Sequence, residues 1–499
     1  MMPHRPYSFG LTLLACLCAI SACTVGPNYN GAPVVAPDAV HATGFVRAPA
    51  HGIAIAPAPS HWWLALNDPQ LNALIDAALA ANPDLHAAQA RLREARAQLQ
   101  QQKAQEMPTG SVDAAVLRTG DPNTSALGSL LGTSSSSSSS GTESSGSSSS
   151  IGGPLTLYTA GFDASWEIDL FGGTRRAVEA ASAEAQAVDA DLADTQVSLT
   201  AEVALAYINL RDQQQRLILA QRSAEIEQQM LALTQQRRAR GTAAEIDVER
   251  LTTQVENTRA TLIPLDEQVT ESLDELAVLT GKPPGTFDQE LSAPGPLPAL
   301  PATVAIGDPA ALLQQRPDIR AAERRLASSN AQIGEHIADY FPKITLFGDL
   351  GFTATDPAHL VRKSNFSWIG APYLQWNILD FGRTLGSVRN AEASRDEAQA
   401  RYTHTVLAAL QDANDALSRY GHQREHLATL QGVQISADRS ATLMRQRYTA
   451  GVSTLIDLLD TQQTQFDAQQ NVVAGQAELL KDFVSLQKSL GLGWQRSQS

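Results

Sequence analysis

The chain has 499 residues, enough for several ordinary domains, and a formal net charge of −15. Proteins bind phosphate groups through lysine and arginine, so this charge argues against a nucleic-acid or anionic-membrane partner. Aromatic residues make up only 5% of the chain, while alanine and glutamine are abundant, which favours long helices over the compact core of an enzyme.

The N-terminus has the form of a bacterial export signal. A short basic start precedes an apolar stretch at residues 11–20, which is too short to span a membrane as a helix. Small residues then lead to Cys23 and resemble a lipobox, the motif whose cysteine is acylated and becomes the mature N-terminus. We predict a lipoprotein signal peptide at 1–22, lipidation of Cys23 and, because Thr24 follows, sorting to the outer membrane. The alternative is an ordinary signal peptide, whose removal would leave Cys23 as a free thiol.

The chain contains two copies of one unit. The motif Asn82-Pro-Asp recurs as Arg316-Pro-Asp, a spacing of 234 residues from 82 to 316. Trp166 recurs as Trp376, at the start of a shared motif that ends in Phe-Gly, a spacing of 210 residues from 166 to 376. The two spacings differ by 24 residues (234 against 210) because copy one carries a serine-rich stretch at about 121–153. A stretch of this composition cannot form a core, so we predict a flexible loop there.

The repeat divides the chain into consecutive segments. After the signal peptide we predict a lipidated N-terminal linker and equatorial segment (23–75), repeat 1 (76–280), a Pro-rich equatorial connector (281–309), repeat 2 (310–490) and a C-terminal tail (491–499). Each repeat is predicted to run helix, strand, loop, strand, long helix, turn, helix. The predicted elements are helix 76–106, strands 111–118 and 156–168, helices 174–239 and 242–280, then helix 310–338, strands 342–353 and 366–378, and helices 384–449 and 452–490.

The strands and the long helices have different periodicities. Along the strands, apolar and polar residues alternate, which suits a barrel with lipid outside and water inside; half-buried strands of a soluble sandwich are the alternative. Along the long helices, apolar residues follow steps of three and four, which is typical of coiled-coil packing. Gly241 and Gly451 are predicted to end these helices as C′ glycines. Four strands are too few to close a transmembrane barrel, so we expect a cyclic oligomer.

Taken in order, these residues resemble the TolC/OprM family of outer-membrane efflux factors, and in particular its lipoprotein (NodT-type) branch, which serves RND tripartite efflux systems. The resemblance covers the mature chain nearly end to end. Its motifs are Cys23-Thr-Val-Gly-Pro-Asn-Tyr29, Asp68-Pro-Gln-Leu71, Asn82-Pro-Asp84, Trp166 through Gly173, Leu279-Thr-Gly281, Arg316-Pro-Asp-Ile319, Tyr340-Phe-Pro342, Trp376-Asn-Ile-Leu-Asp-Phe-Gly-Arg383 and Ile456-Asp-Leu-Leu-Asp460.

The resemblance implies an α+β membrane protein of the outer membrane. It implies a homotrimer with a twelve-stranded transmembrane β-barrel, four strands per chain, continuous with a long α-helical coiled-coil tunnel in the periplasm. It also implies two protein partners at the tunnel tip, a periplasmic adaptor (membrane fusion) protein and an inner-membrane RND-type pump.

Two aspartates after the second predicted helix turn are candidates for a periplasmic gate. Asp457 and Asp460 are three residues apart, so they lie on one helix face. Three chains would bring their carboxylates around one opening, which would attract cations and raise the carboxyl pKa values. A solvated helix face is the alternative, but the pair resembles the constriction ring of the family. The resemblance also makes Asp247 and Tyr448 candidates for a latch between tip helices. It makes the turns the expected adaptor contacts, at Arg240, Gly241, Thr242, Ala450, Gly451 and Val452.

One short motif in the sequence has the order of an enzyme's metal site. His422, Glu425 and His426 have the order of one class of zinc peptidase, but no plausible third ligand follows, which favours a polar helix face. The chain has no nucleotide-binding or nucleophile motif, so we expect no catalysis, no metal and no cofactor. The predicted function is a passive exit duct for drugs or other small toxic molecules. Alternatives are a duct for type I protein secretion or for metal-ion efflux, and a coiled-coil lipoprotein scaffold without a pore.

Overall fold

A computed structural model describes residues 24–40, 42, 44–119 and 155–494 of the chain. The predicted signal peptide, the predicted lipidation site Cys23 and the serine-rich loop lie outside the described residues, as do the last five residues of the predicted tail, 495–499. The helices are α1 (Pro37–Val40), α2 (Pro69–Ala81), α3 (Pro83–Ala104), α4 (Gly173–Ala239), α5 (Glu245–Leu279), α6 (Pro309–Gln315), α7 (Pro317–Ala338), α8 (Arg383–Thr449) and α9 (Leu455–Ser489). The strands are β1 (Ile53–Ile55), β2 (Thr109–Thr119), β3 (Leu155–Ile168), β4 (Val304–Ile306), β5 (Lys343–Ala354) and β6 (Phe366–Gln375).

The chain divides into two compact units. The strand unit consists of the described residues within 1–29, 98–181 and 329–393, and the helical unit consists of those within 30–97, 182–328 and 394–499. Across the described residues, no helix combines the length and the apolar character needed to cross a membrane.

The strand unit is built on an antiparallel sheet in the order β2-β3-β5-β6. Its apolar side chains at even-numbered positions share one face, and within one chain this face is exposed, with Val112 82% and Trp368 73% exposed. No second sheet covers them in the described part of the chain, which argues against the sandwich alternative. The sheet is shorter than predicted at one end, because β6 ends at Gln375 rather than at residue 378. There the Trp376 indole donates to the carbonyl of Tyr340 at 3.0 Å, and the chain turns.

The first described residues pack tightly in the strand unit. The buried guanidinium of Arg176 donates to the carbonyl of Val25 at 3.1 Å and to the Asn28 side chain at 2.6 Å. Gly26 has φ +90°, and its backbone lies directly against Gly334. The segment just after the predicted lipidation site is therefore held by backbone contacts as well as by side chains.

We expect Gly26→Ala to destabilise the protein by about 2 kcal/mol. A Cβ at this position would lie 2.4 Å from the Cα of Gly334, and alanine disfavours the left-handed backbone conformation. Thermal unfolding of the purified protein, followed by circular dichroism, measures the effect. Gly31→Ala is a matched control, because Gly31 also has positive φ (+103°) but nothing lies within 4 Å of its Cβ position. Equal losses in the two variants would contradict the role of close packing at Gly26.

The predictions of single helices at 76–106 and 310–338 are wrong, because each is interrupted by a proline. Asn82 separates α2 from α3, and its side chain accepts a hydrogen bond from the N–H of Leu85 at 3.0 Å. Arg316 separates α6 from α7, and like Asn82 it has an extended backbone conformation. Proline disfavours a helical residue before it but fits the first helical position, so Pro83 and Pro317 each end one helix and begin the next.

The equatorial segments contain a strand pair that the sequence analysis did not predict. β1 and β4 are parallel, with Ile53 opposite Val304 and Ile55 opposite Ile306. β4 lies inside the Pro-rich connector, so this pair fastens the connector to the N-terminal linker within the helical unit. Strands of three residues are too short to show an alternating pattern in the sequence.

A buried polar network joins the connector to α4. Arg211 is 2% exposed and donates to the side chain of Gln214 at 2.7 Å and to the carbonyl of Ala293 at 3.0 Å. One turn earlier, the hydroxyl of Tyr207 donates to the carboxylate of Asp68 at 2.9 Å. Burial raises the pKa of Tyr207 to about 12, so it remains a donor at every physiological pH. Through this network, the start of α2 and the connector are both held against α4.

We expect Asp482→Asn in α9 to stabilise the protein above neutral pH. Burial, together with the nearby carboxylate of Glu478, raises the pKa of Asp482 to about 6, although Arg419 opposes the shift. Folding therefore favours the protonated acid, so this residue's contribution is fully present below about pH 4 and is lost as the pH rises through 6. The variant should be more stable than the parent by about 2 kcal/mol at pH 8 and equally stable near pH 4. Thermal midpoints across this range test it, with the exposed Asp467→Asn as the control; a pH-independent difference would contradict it.

Candidate functional site: the helix tips

The two long helices end in the same backbone motif. At the end of α4, Gly241 has φ +72°, and the N–H of Thr242 donates back to the carbonyl of Arg237 at 2.9 Å. At the end of α8, Gly451 has φ +71°, and the N–H of Val452 donates to the carbonyl of Arg447 at 2.9 Å. Both are Schellman motifs, so the prediction of C′ glycines is confirmed at both positions.

The return helix of copy two begins with a capping box. The N–H of Asp457 donates to the Thr454 hydroxyl oxygen at 3.2 Å, while the N–H of Thr454 donates to the Asp457 carboxylate at 3.1 Å. The hydroxyl of Thr454 also donates to this carboxylate, at 2.7 Å. Asp457 is therefore a structural residue of the helix start in addition to being a charge at the tip.

Asp457 and Asp460 are both exposed on one side of α9, while Leu455 and Leu458 are buried on another. The i,i+3 spacing thus places the two carboxylates as predicted within one chain. The hydrogen bonds from Thr454 hold the pKa of Asp457 below its ordinary value. For Asp457 in a single chain, this direction is opposite to the rise that we expected from crowding, because the capping box stabilises the ionised form.

The tip of copy one has a different chemistry. Ala244 occupies the N-cap position of α5, so no side chain caps this helix, and Arg238 instead forms an ion pair with Glu245 across the turn. Asp247 is half-buried and Arg250 is exposed at the positions that correspond to the acidic pair. In copy one, an arginine therefore takes the place of the second carboxylate of the pair, although Glu245 and Asp247 make the first turn of α5 acidic as well.

Tyr448 has a partner that the sequence analysis missed. The guanidinium of Arg237 donates to the Tyr448 hydroxyl at 3.1 Å and lies 5.7 Å from the centre of its ring. The two predicted latch residues, Asp247 and Tyr448, are thus not brought together by a hydrogen bond within one chain. A pairing between residues 211 positions apart leaves no signal in the spacing of a single sequence.

The zinc-peptidase order lies on a helix without the surroundings of a metal site. His422, Glu425 and His426 fall in the middle of α8. Within the described ranges, no group of three or more His, Cys, Asp or Glu side chains is arranged to hold a metal ion. All three side chains are exposed, as expected for a polar helix face.

The chain is duplicated, its antiparallel sheet has an exposed apolar face, and in each copy a long helix is followed by a return helix. These features are typical of one class of protein, the outer-membrane channel proteins. The chain belongs to the outer membrane efflux protein family, which it matches over residues 74–282 and 309–492. It is 29% identical to the outer membrane protein OprJ of Pseudomonas aeruginosa, covering 99% of this chain and 98% of that protein. It is 31% identical to the pyoverdine export outer membrane protein OpmQ of the same species, covering 96% and 97%.

Solved structures give the same result for the fold. The outer-membrane channel OprN superimposes with a TM-score of 0.79 at 33% identity, covering 95% of this chain and 100% of that one. The open state of the MtrE outer membrane channel of Neisseria gonorrhoeae has a TM-score of 0.78 at 25% identity, covering 94% and 98%. The predicted fold class, the outer-membrane location and the function as the outer-membrane channel of an efflux system are therefore confirmed.

Proposed function

We propose that the chain assembles as a homotrimer whose strands close a twelve-stranded barrel and whose helices form a passive exit duct. The duct carries drugs or other small toxic molecules, and it is gated at the helix tips by Asp457 and Asp460. It works with a periplasmic adaptor (membrane fusion) protein and an inner-membrane RND-type pump, which supplies the energy. Cys23 carries the lipid that adds an anchor in the outer membrane.

The open sheet of the single chain is the observation that supports the proposed trimer. β2 and β6 are edge strands within one chain, so each presents a row of backbone N–H and C=O groups without a strand partner in the described sheet. Hydrocarbon cannot satisfy these groups, so strands that cross a membrane must close into a ring. A ring of four-stranded chains with cyclic symmetry provides that closure, and three chains give twelve strands.

The choice of cargo is supported by the relatives. Similar proteins of Pseudomonas putida are named as the outer membrane components of a solvent efflux pump, a toluene efflux pump and an antibiotic efflux pump, each 28–29% identical to this chain. Small organic molecules are common to these names. They favour small toxic molecules over secreted proteins or metal ions as the cargo.

The adaptor contact is supported by exposure at the turns. Val452 is 67% exposed beside Gly451, and the half-exposed Leu443 precedes it on α8, so an apolar surface lies at the tip of copy two. An adaptor that packs its own apolar side chains here would cover a surface that the single chain leaves in water.

Planar-bilayer recording of the purified protein tests the duct. We expect a trimer mass in detergent and cation-selective channels in the bilayer. A trimer without conductance would overturn the duct and favour the scaffold alternative. Deleting the gene should sensitise cells to toluene and to antibiotics, and sensitivity to metal ions alone would redirect the cargo. Loss of palmitate labelling in Cys23→Ser, with the parent labelled, tests the lipid anchor.

A further inference from the structure

The two strand hairpins of the chain are built in the same register. In copy one, Thr109 lies opposite Ser165; in copy two, the corresponding residues Lys343 and Gln375 lie opposite each other. The correspondence uses the spacings found in the sequence, 234 residues before the loop and 210 after it. The structure thus repeats the hairpin residue for residue.

The tryptophans at the ends of the hairpins repeat as well. The Trp166 indole donates to the carbonyl of Glu106 at 3.0 Å, and the Trp376 indole donates to the carbonyl of Tyr340 at 3.0 Å. In both copies, this hydrogen bond joins the end of the hairpin's second strand to the segment just before its first strand. The equivalence of the two copies therefore extends beyond the strands into the turns that follow them.

Within one chain, the two hairpins are joined by β3 and β5. Residues opposite each other in this joint have numbers that add to 512, as in Ile168 and Ile344. The rule continues past the strand ends, where the rings of Phe171 and Phe341 stack at 4.6 Å with an interplanar angle of 18°. A stacked aromatic pair thus closes the joint at the helix side of the sheet.

The equivalent joint on the other side of each hairpin is empty within one chain. The residues that correspond to Phe171 and Phe341 are Phe381 and Met107, which are 97% and 65% exposed. The glycine that follows each phenylalanine has the same conformation, since Gly382 has φ +87° and Gly172 has φ +84°, but Phe381 itself has φ +53°, unlike Phe171. Within the described residues no partner surface covers Phe381, so its conformation in one chain is that of a side chain without the contact that Phe171 makes.

We propose that β6 of one chain pairs antiparallel with β2 of a second copy, in the register in which opposite residue numbers add to 488. This number follows when the two spacings are applied to the joint inside the chain, as 512 plus 210 minus 234. Leu374 then lies opposite Ala114 of the second copy, and Phe381 lies against its Met107. A thioether packs well against an aromatic ring. The proposal rests on the proposed trimer and specifies how its chains join.

The pleat of the sheet independently restricts the register. Even-numbered residues carry the apolar face on both edge strands, as with Val116 on β2 and Trp368 on β6. An odd total would place the apolar face of one chain beside the polar face of the next, which membrane burial forbids. The repeat then selects 488 among the even totals. The equivalence of the two copies ends after the turns, since Arg383 stands where copy one has Gly173, which lies close to Ala338 at the end of α7.

Disulfide cross-linking in the full-length protein tests the register. We expect Ala114→Cys with Leu374→Cys to form covalent dimers and trimers on non-reducing gels after denaturation, with no larger species. The controls shift one partner by two residues on the same face, Val112→Cys or Val116→Cys with Leu374→Cys. Diagonal neighbours are about 7–8 Å apart, too far for a disulfide, so the controls should cross-link at least about tenfold less. The single-cysteine variants and the parent measure the background.

A second pair guards against a strand variant that fails to fold. Met107→Cys with Phe381→Cys lies outside the strands and should cross-link chains in the same pattern. Trimer mass and bilayer conductance are measured on every variant. Cross-linking in a control register, or none at either pair in an intact conducting trimer, would overturn the proposed joint while leaving the duct in place. Loss of the trimer in the parent protein would instead overturn the proposed function.

Discussion

Replacing Asp460 with asparagine is expected to raise the conductance of the channel several-fold and to weaken its preference for cations. In the proposed trimer, the exposed carboxylates of Asp457 and Asp460 surround one opening, where the cations that they bind obstruct the passage of further ions. Asparagine keeps the size of the side chain and removes the charge. Single-channel recordings under a salt gradient give both the conductance and the selectivity.

The two aspartates are not equivalent targets, because Asp457 also closes the capping box. Asp457→Ala would remove a charge and a helix cap together, whereas Asp457→Asn keeps an oxygen that can accept the Thr454 N–H. Thr454→Val removes the side-chain cap and leaves both charges, so it should change selectivity little. Asp467→Asn, exposed further along α9, is the control for charge alone. An Asp460→Asn channel with unchanged conductance and selectivity would remove this residue from the gate.

Replacing Arg211 with methionine is expected to destabilise the protein by about 3 kcal/mol. The variant would leave a backbone carbonyl and two side-chain amide oxygens, those of Gln70 and Gln214, without their buried donor. Charge-assisted hydrogen bonds of this kind contribute roughly 1.5–3 kcal/mol each. The variant no longer has to bury a charged guanidinium, and the desolvation penalty that is avoided offsets part of this loss. Because the network fastens the connector to α4, we expect the thermal midpoint of the helical signal to fall.

Arg222→Met is the matched control, since Arg222 is exposed on the same helix. It should shift the midpoint little, because a solvated arginine exchanges protein contacts for water at small cost. If Arg211→Met behaved like Arg222→Met, the network would be dispensable, and β1 with β4 would have to hold the connector instead.

Local signals in the sequence located the long elements well. The helices predicted at 174–239 and 384–449 are Gly173–Ala239 and Arg383–Thr449 in the structure. Their ends are encoded by neighbouring residues, as with Gly241, whose positive φ no other residue adopts as easily. The acidic pair at the tip followed from the same kind of local reasoning, because residues three apart share a helix face.

Contacts between distant residues could not be predicted from one sequence. The pairing of β1 with β4 and the contact of Arg237 with Tyr448 each join segments that carry no shared pattern. The breaks at Pro83 and Pro317 are a different case. Their signal was visible in the sequence, but apolar periodicity on both sides favoured a continuous helix, and the local effect of proline prevailed.

The joint between β3 and β5 also bears on how a ring of chains can form. Because both strands belong to one polypeptide, this joint closes at the high effective concentration of an intramolecular contact, without an encounter in the membrane. A chain with a single hairpin would need about six molecules to supply twelve strands, whereas the duplicated chain needs about three. Duplication therefore halves the number of molecules that must meet. As a result, assembly depends far less steeply on the concentration of the protein.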